Sequence, residues 1–167
     1  MAARLEYILV PIAFGFGTAL TAMVATNMGA GDPKRALRVA WLGAAIVAAI
    51  TGGIGLVTAI APALWMNLFT QDAAVREFGA SYLRIVGAFY GLYGFGLALF
   101  FASQGAGRMF WPLAGSVARL LIVALGGWAC VHLLQTGASG FFLVVAISLA
   151  VYGLIIAGAI RFGSWTR

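Results

Sequence analysis

Five long apolar runs dominate this sequence, and short polar stretches separate them. A helix that crosses the hydrocarbon core of a bilayer needs about 20 mostly apolar residues. The runs alternate too poorly for barrel strands, and a helix satisfies its own backbone hydrogen bonds in lipid. The sequence therefore predicts an all-α integral membrane protein, a bundle of five transmembrane helices in a single membrane domain over residues 1–167. The predicted spans are roughly 5–27, 39–61, 79–103, 111–134 and 140–161.

The composition agrees with membrane lipid as the main surrounding medium. Hydrophobic residues make up 63% of the chain and charged residues 8%, whereas a soluble domain is about 25% charged. The net charge of +6 does not indicate nucleic acid as a partner, because the basic residues lie in the breaks between apolar runs and form no continuous patch.

The basic residues also predict an orientation. Breaks on one side hold six of them, and breaks on the other side hold Arg4 and Arg76. Positive charge concentrates on cytoplasmic loops, so the N-terminus should lie outside a plasma (inner) membrane and the C-terminus in the cytoplasm. A chain with this topology is awkward to insert alone, so we expect a larger protein of which it is one part. The six are Lys34, Arg35, Arg38, Arg108, Arg161 and Arg167.

The most polar stretch, "NMGAGDPKRALRVA", predicts a turn between the first two helices. Asn27, Gly29 and Gly31 should end one helix, because glycine adopts the left-handed conformation that closes a C-terminus. Asp32 can cap the next helix, with Pro33 in its first position. The basic residues that follow suit an anionic leaflet, although a loop that merely follows the positive-inside rule would look the same. Gly105 and Gly107, in "SQGAGR", predict a second turn.

Charges inside or beside the apolar runs are candidates for function because they are costly in lipid. Arg119 should lie about 12 Å deep. It could bond backbone carbonyls inside the bundle, or its partner could belong to a part of the protein outside this chain. Glu6 and Arg4 should form a solvated ion pair near the outer interface, with a role in translocation as the alternative. Arg84 should extend to the interface.

A substrate cavity could be lined by Phe14, Thr18, Tyr90 and Tyr93, where aromatic faces would suit flat organic cations. Phe16 and Phe95 are further candidates, and core or lipid-facing packing is the alternative for all of these aromatics. Gly87 and Gly91 form a small-xxx-small pair that allows helices to approach closely.

Nothing in the sequence indicates an enzyme. It contains no Ser-His-Asp set, no phosphate-binding loop and no cluster of metal ligands, so neither a cofactor nor a metal is expected. The "GFG" and "GGIG" stretches lie inside lipid-length runs and do not fit a dinucleotide loop. His132 and Cys130 lie near the outer end of the fourth run, where a lone histidine is usually an interface residue.

Several of these motifs together resemble one transporter family. "NMGAGDPKRA" is similar to the N-x-G-A-G-x-x-x-x-A signature of the multidrug and toxic compound extrusion (MATE) family. "ARLE" with "LVPIAFGFGTALTAMV" resembles that family's eighth helix, and "MNLFTQDAAVREFGASYLRIV" resembles the stretch that leads into its tenth. "SQGAG" with Pro112 resembles its R-G-A-G-D-T-R-T-P turn, although here the Asp-Thr-Arg is replaced.

The resemblance implies twelve helices in two lobes, of which this chain would supply helices eight to twelve. It implies efflux of small organic, often cationic, compounds against entry of sodium ions or protons. The partners would be the N-terminal lobe and helix seven. The coupling ion would bind outside this chain, because the stretch that matches helix ten carries no acid. Two alternatives remain: a lipid-linked saccharide flippase of the same wider fold, whose cavity would be strongly basic, and a small non-transporting membrane scaffold or assembly protein.

Overall fold

The computed structural model describes residues 2–163 and residue 165, and this part consists of helices joined by short connections, with no strand. Arg167, one of the six basic residues on the cytoplasmic side of the orientation argument, lies outside the described residues. Two 3-10 turns occur at Ala2–Leu5 and Gly87–Phe89. The helices are α1 Glu6–Gly29, α2 Pro33–Ile60, α3 Pro62–Met66, α4 Ala73–Val86, α5 Tyr90–Gly105, α6 Phe110–His132 and α7 Gly137–Arg161.

The prediction of five spanning helices is confirmed. Five helical segments of the described chain are long and apolar enough to cross a membrane. The third begins earlier than the sequence predicted, at residue 73 and not 79. The second begins at Pro33, the position that the predicted cap at Asp32 gave it, six residues before the apolar run that starts at residue 39. In both cases an aspartate caps the first turn, because the carboxylates of Asp32 and Asp72 accept bonds from backbone N–H groups of that turn. The segments are Ala2–Gly29, Pro33–Ile60, Ala73–Gly105, Phe110–His132 and Gly137–Arg161.

The third span is not one regular helix. The 3-10 turn Gly87–Phe89 separates α4 from α5, where the sequence predicted a single continuous run. The short helix α3 was not predicted from the sequence either. It begins at Pro62, and only Ala61 separates it from the end of α2. A residue before proline is disfavoured in the helical region, so α2 stops before Ala61.

α5 lies at the centre of the bundle, with α1, α2 and α7 around it and α6 packed on α7. The predicted close approach at Gly87 and Gly91 is confirmed, and their neighbours are glycines of α2. A Cβ placed on Gly91 would lie 3.1 Å from the Cα of Gly52, and one placed on Gly55 would clash with the Gly87 carbonyl oxygen. Gly52 and Gly55 of the "GGIG" stretch are thus part of a helix-packing surface, a role that the sequence did not predict for them.

Buried apolar side chains form two clusters, one toward each end of the bundle. The first joins α1, α2, α5 and α7 on the side where α1 ends and α2 begins, and includes Val24, Val47 and Phe101. The second joins the start of α1 to α3, α4 and α7, and includes Leu9 and Met66. The outer face of α6 stays exposed, which suits a surface that faces lipid or another lobe.

The two predicted turns have the same hydrogen-bond pattern. In the first, the Asp32 N–H bonds the Asn27 carbonyl and the Gly31 N–H bonds the Met28 carbonyl. Gly31 has φ +73°. This is the Schellman arrangement, in which a left-handed glycine closes a helix. Gly29 differs from the expectation, since it is the last helical residue and has open space around it.

The second turn repeats the pattern at Ser103–Arg108, where the Arg108 N–H bonds the Ser103 carbonyl and Gly107 has φ +68°. Gly105 has a different role. A Cβ there would clash with the Thr21 carbonyl oxygen of α1, so Gly105 is required by close packing between α1 and α5. The Thr21 hydroxyl joins the same two helices by donating to the Phe101 carbonyl at 2.9 Å.

Candidate functional site

A cleft of about 550 Å³ opens between α5 and α6, with α1 and α7 completing its walls. It lies at mid-span, because Arg119 is the tenth residue of the 23-residue helix α6. Most of the wall is aromatic or aliphatic, and Arg119 is the charged residue in it. The lining residues are Phe14, Tyr93, Leu97, Phe100, Phe101, Ser116, Arg119, Leu120, Val123 and Tyr152.

Helical spacing on α6 directs one row of side chains into the cleft. Ser116, Arg119, Leu120 and Val123 follow one another at intervals of three, one and three residues, which places them on one face of a helix. The Ser116 hydroxyl donates to the Pro112 carbonyl one turn earlier, at 3.0 Å. This face is the one that α6 turns toward α5.

Arg119 is held by an aromatic ring. Its guanidinium carbon lies 4.9 Å from the centre of the Tyr93 ring, a distance at which the ring face attracts a cation. The sequence left two alternatives for Arg119. The first, a bond to backbone carbonyls within the bundle, is not observed among the described residues. No carboxylate in that part of the chain forms an ion pair with Arg119 either.

The residues predicted to line a cavity fall in three places. Phe14 and Tyr93 lie in the cleft, where Phe14 packs edge-to-face on Phe101 with ring centres 4.9 Å apart. Thr18 is exposed and donates to the Gly15 carbonyl of its own helix. Tyr90 is 0% exposed, so its side chain does not line the cleft.

Of the further aromatic candidates, Phe16 is exposed and Phe95 packs against Trp41. Phe100, Phe101 and Tyr152 also line the cleft and were not predicted from the sequence. The helical spacing from Arg119 would have found the α6 residues, but nothing local indicated which face of α5 or α7 stands opposite.

A second polar site lies at the start of α1. One carboxylate oxygen of Glu6 accepts hydrogen bonds from the Tyr82 hydroxyl at 2.9 Å and from the Tyr90 hydroxyl at 3.2 Å. The predicted Glu6–Arg4 ion pair is therefore wrong. Arg4 instead lies over the Phe69 ring at 5.7 Å. A half-buried carboxylate takes the two tyrosine donors because an unpaired charge there would be costly.

The acids of the described chain do not converge on a metal site. Asp32 and Asp72 cap helices, and Glu6 is bound by tyrosines. No group of three potential ligands from His, Cys, Asp and Glu lies close enough to hold a metal ion among the residues that the structure describes. A larger open depression of about 780 Å³ lies at the α5–α6 turn and the end of α7, at the bundle end and away from the mid-span cleft.

Five helices that are long and apolar enough to span a membrane, with a cleft at mid-span, define a multi-pass membrane protein. The family model MatE matches residues 1–129. The chain belongs to the MatE family, and the earlier resemblance is confirmed. The match includes α1 to α5 and most of α6, whereas α7 lies beyond it. Comparison with curated proteins and with solved structures gave no match.

Proposed function

We propose that this chain is the helix-eight-to-twelve part of a secondary active multidrug antiporter, which exports small organic compounds against sodium ion or proton entry. The observation that carries the proposal is the cleft between α5 and α6, together with membership of a transporter family. Transporter sites commonly lie near the bilayer midplane between packed repeats. The remaining wall of the cavity would come from the N-terminal lobe and helix seven.

The coupling ion would bind outside this chain. Two of the four acids, Asp32 and Asp72, are helix caps, and Glu6 is held by two tyrosine hydroxyls. Glu77 lies on α4 beside Arg76 and Arg84, outside the cleft. None of these carboxylates lies in the cleft wall, which supports a coupling site elsewhere in the assembled transporter.

The composition of the cleft favours this proposal over a lipid-linked saccharide flippase. A pyrophosphate-linked lipid would need several basic groups. The described wall supplies one, Arg119, among aromatic and aliphatic side chains. A non-transporting scaffold has no need of a mid-span cleft that contains a charged residue.

We propose that α1 crosses the plasma (inner) membrane from the outside to the cytoplasm. The reason is that more basic residues lie on the side of the α1–α2 turn than on the opposite side. Two exposed alanines test this, Ala30 in that turn and Ala138 in the first turn of α7, next to the connection from α6. In a Cys130→Ser background, Ala138→Cys should react with an impermeant thiol reagent added to intact cells, and Ala30→Cys should react only after permeabilisation. The opposite labelling pattern would overturn the orientation.

Filling the cleft should impair export. In the two-lobe transporter, Ser116→Trp should place an indole in the space for the substrate and weaken substrate binding by about tenfold, which is about 1.4 kcal/mol. The measurement is dye efflux from an efflux-deficient host, normalised to the folded protein. The chain expressed without its partner lobe should give no efflux.

Val117→Trp is the matched control, because Val117 is the next residue on α6, is 55% exposed and does not line the cleft. It should export dye at close to the wild-type rate. If both tryptophan variants export normally at normal abundance, the cleft is not on the substrate path.

A further inference from the structure

We propose that the cleft selects organic anions: compounds with a flat apolar body and one negatively charged group, for which Arg119 is the counter-ion. This rests on the proposed function and gives that site a substrate class. It also departs from the organic cations that the family resemblance implies for such a cavity.

The first argument is the charge of the wall. Arg119 is half-buried at mid-span, and no acid is among the residues that line the cleft. Charges interact more strongly away from water, since screening is weak there. The charge of the described wall is therefore positive, and its Arg119 guanidinium attracts an anion into the cleft and repels a cation from it.

The second argument is the use of the aromatic face. An organic cation would bind in an aromatic cleft by lying over a ring. The Tyr93 ring already has the Arg119 guanidinium 4.9 Å from its centre, so a cationic ligand that binds over this face of Tyr93 would have to displace a side chain of its own charge. An anion needs no displacement, because a guanidinium stacked on a ring still presents the N–H groups of its edge to a carboxylate or sulfonate.

The third argument is the shape of the remaining wall. Phe14 and Phe101 pack edge-to-face at 4.9 Å, and Leu97, Leu120 and Val123 complete an apolar surface beside Arg119. Such a wall buries the flat body of a ligand while one cationic group fixes its polar end. The volume of about 550 Å³ lies within the range of sites for drug-sized molecules.

Two dyes that share a xanthene ring system test the charge preference: fluorescein, which is anionic, and a rhodamine ester, which is cationic. Binding is measured by fluorescence anisotropy with the full protein in phosphatidylcholine nanodiscs. The wild type should bind fluorescein about tenfold more tightly than the rhodamine ester, and Arg119→Gln should weaken fluorescein binding by about tenfold, because a hydrogen-bonded charge pair is lost. Rhodamine binding should stay unchanged or tighten.

Two further variants separate charge from structure. Arg119→Lys keeps the positive charge and should keep the preference for fluorescein, even if Arg119→Gln folds poorly. Arg84→Gln removes an exposed arginine outside the cleft and should leave both affinities unchanged. Tighter binding of the cation to the wild type, or equal weakening of both dyes by Arg119→Gln, would overturn the proposal.

An anionic lipid is the competing occupant, and phosphatidylglycerol added to the nanodiscs tests it. If the lipid displaces fluorescein from the wild type but not from Arg119→Gln, the cleft is a lipid site and the inference fails. Export is measured separately. Export of the cation alone would retain the transport function and reject the inference, whereas anion-selective binding without export of either dye would count against transport only.

Discussion

Gly55→Ala should be among the most damaging single-methyl additions to this protein. A Cβ at position 55 would clash with the Gly87 carbonyl oxygen and lie 3.0 Å from the Tyr90 Cβ. The obstacle is mainly backbone and cannot rotate away, so α2 and α5 would have to separate along their glycine contact. Overpacking of this kind costs about 1–3 kcal/mol, and Gly55→Val should cost more. The measurement is thermal unfolding in detergent together with the yield of folded protein.

Gly53→Ala is the matched control on the same helix. Nothing lies within 4 Å of a Cβ at position 53, so only helix propensity changes, which favours alanine by about 1 kcal/mol. We expect unchanged or slightly higher stability. Equal stability of Gly53→Ala and Gly55→Ala would mean that the glycine contact does not determine how α2 and α5 pack.

These glycines show how far the sequence alone determines the fold. Apolar length predicted the five spans, because lipid thickness sets a physical minimum. The cap at Asp32 and Pro33 and the left-handed glycine at 31 were also predictable, since each depends on residues within one turn of the chain. Gly87 and Gly91 were recognised as a packing pair, but not their partners on α2. Register between two helices depends on all of their contacts at once and has no local signal.

In the candidate site, too, single residues could be predicted from the sequence, whereas the contacts between helices could not. Arg119 was identified because a charge in an apolar run is unusual, and Phe14 and Tyr93 because they are aromatic. The Arg119–Tyr93 contact joins α6 to α5, and no spacing rule links these positions. The Glu6 site was misjudged for the same reason. Arg4 is adjacent in sequence, whereas Tyr82 and Tyr90 lie 76 and 84 residues away.

Glu6→Ala should destabilise the end of the bundle where α1 begins, by several kcal/mol. The carboxylate accepts both tyrosine hydroxyls, and Tyr90 is 0% exposed, so its hydroxyl would have no route to water. Each buried donor left without a partner costs about 1–3 kcal/mol. Loss of the carboxylate would also release the start of α1 from α4 and α5. The loss should appear as a lower midpoint of thermal unfolding in detergent.

Two companion variants separate the hydrogen bonds from side-chain volume and charge. Glu6→Gln retains an oxygen acceptor in the same place, so it should lose much less stability than Glu6→Ala. In a Tyr82→Phe, Tyr90→Phe background, no tyrosine hydroxyl can be left without an acceptor. The loss of unfolding free energy caused by Glu6→Ala should then shrink to the loss of packing alone. Such a difference between backgrounds is the coupling free energy of residues in one network. If Glu6→Ala costs the same in both backgrounds, the two tyrosine bonds do not stabilise this end of the bundle, and the carboxylate must be retained for a different reason.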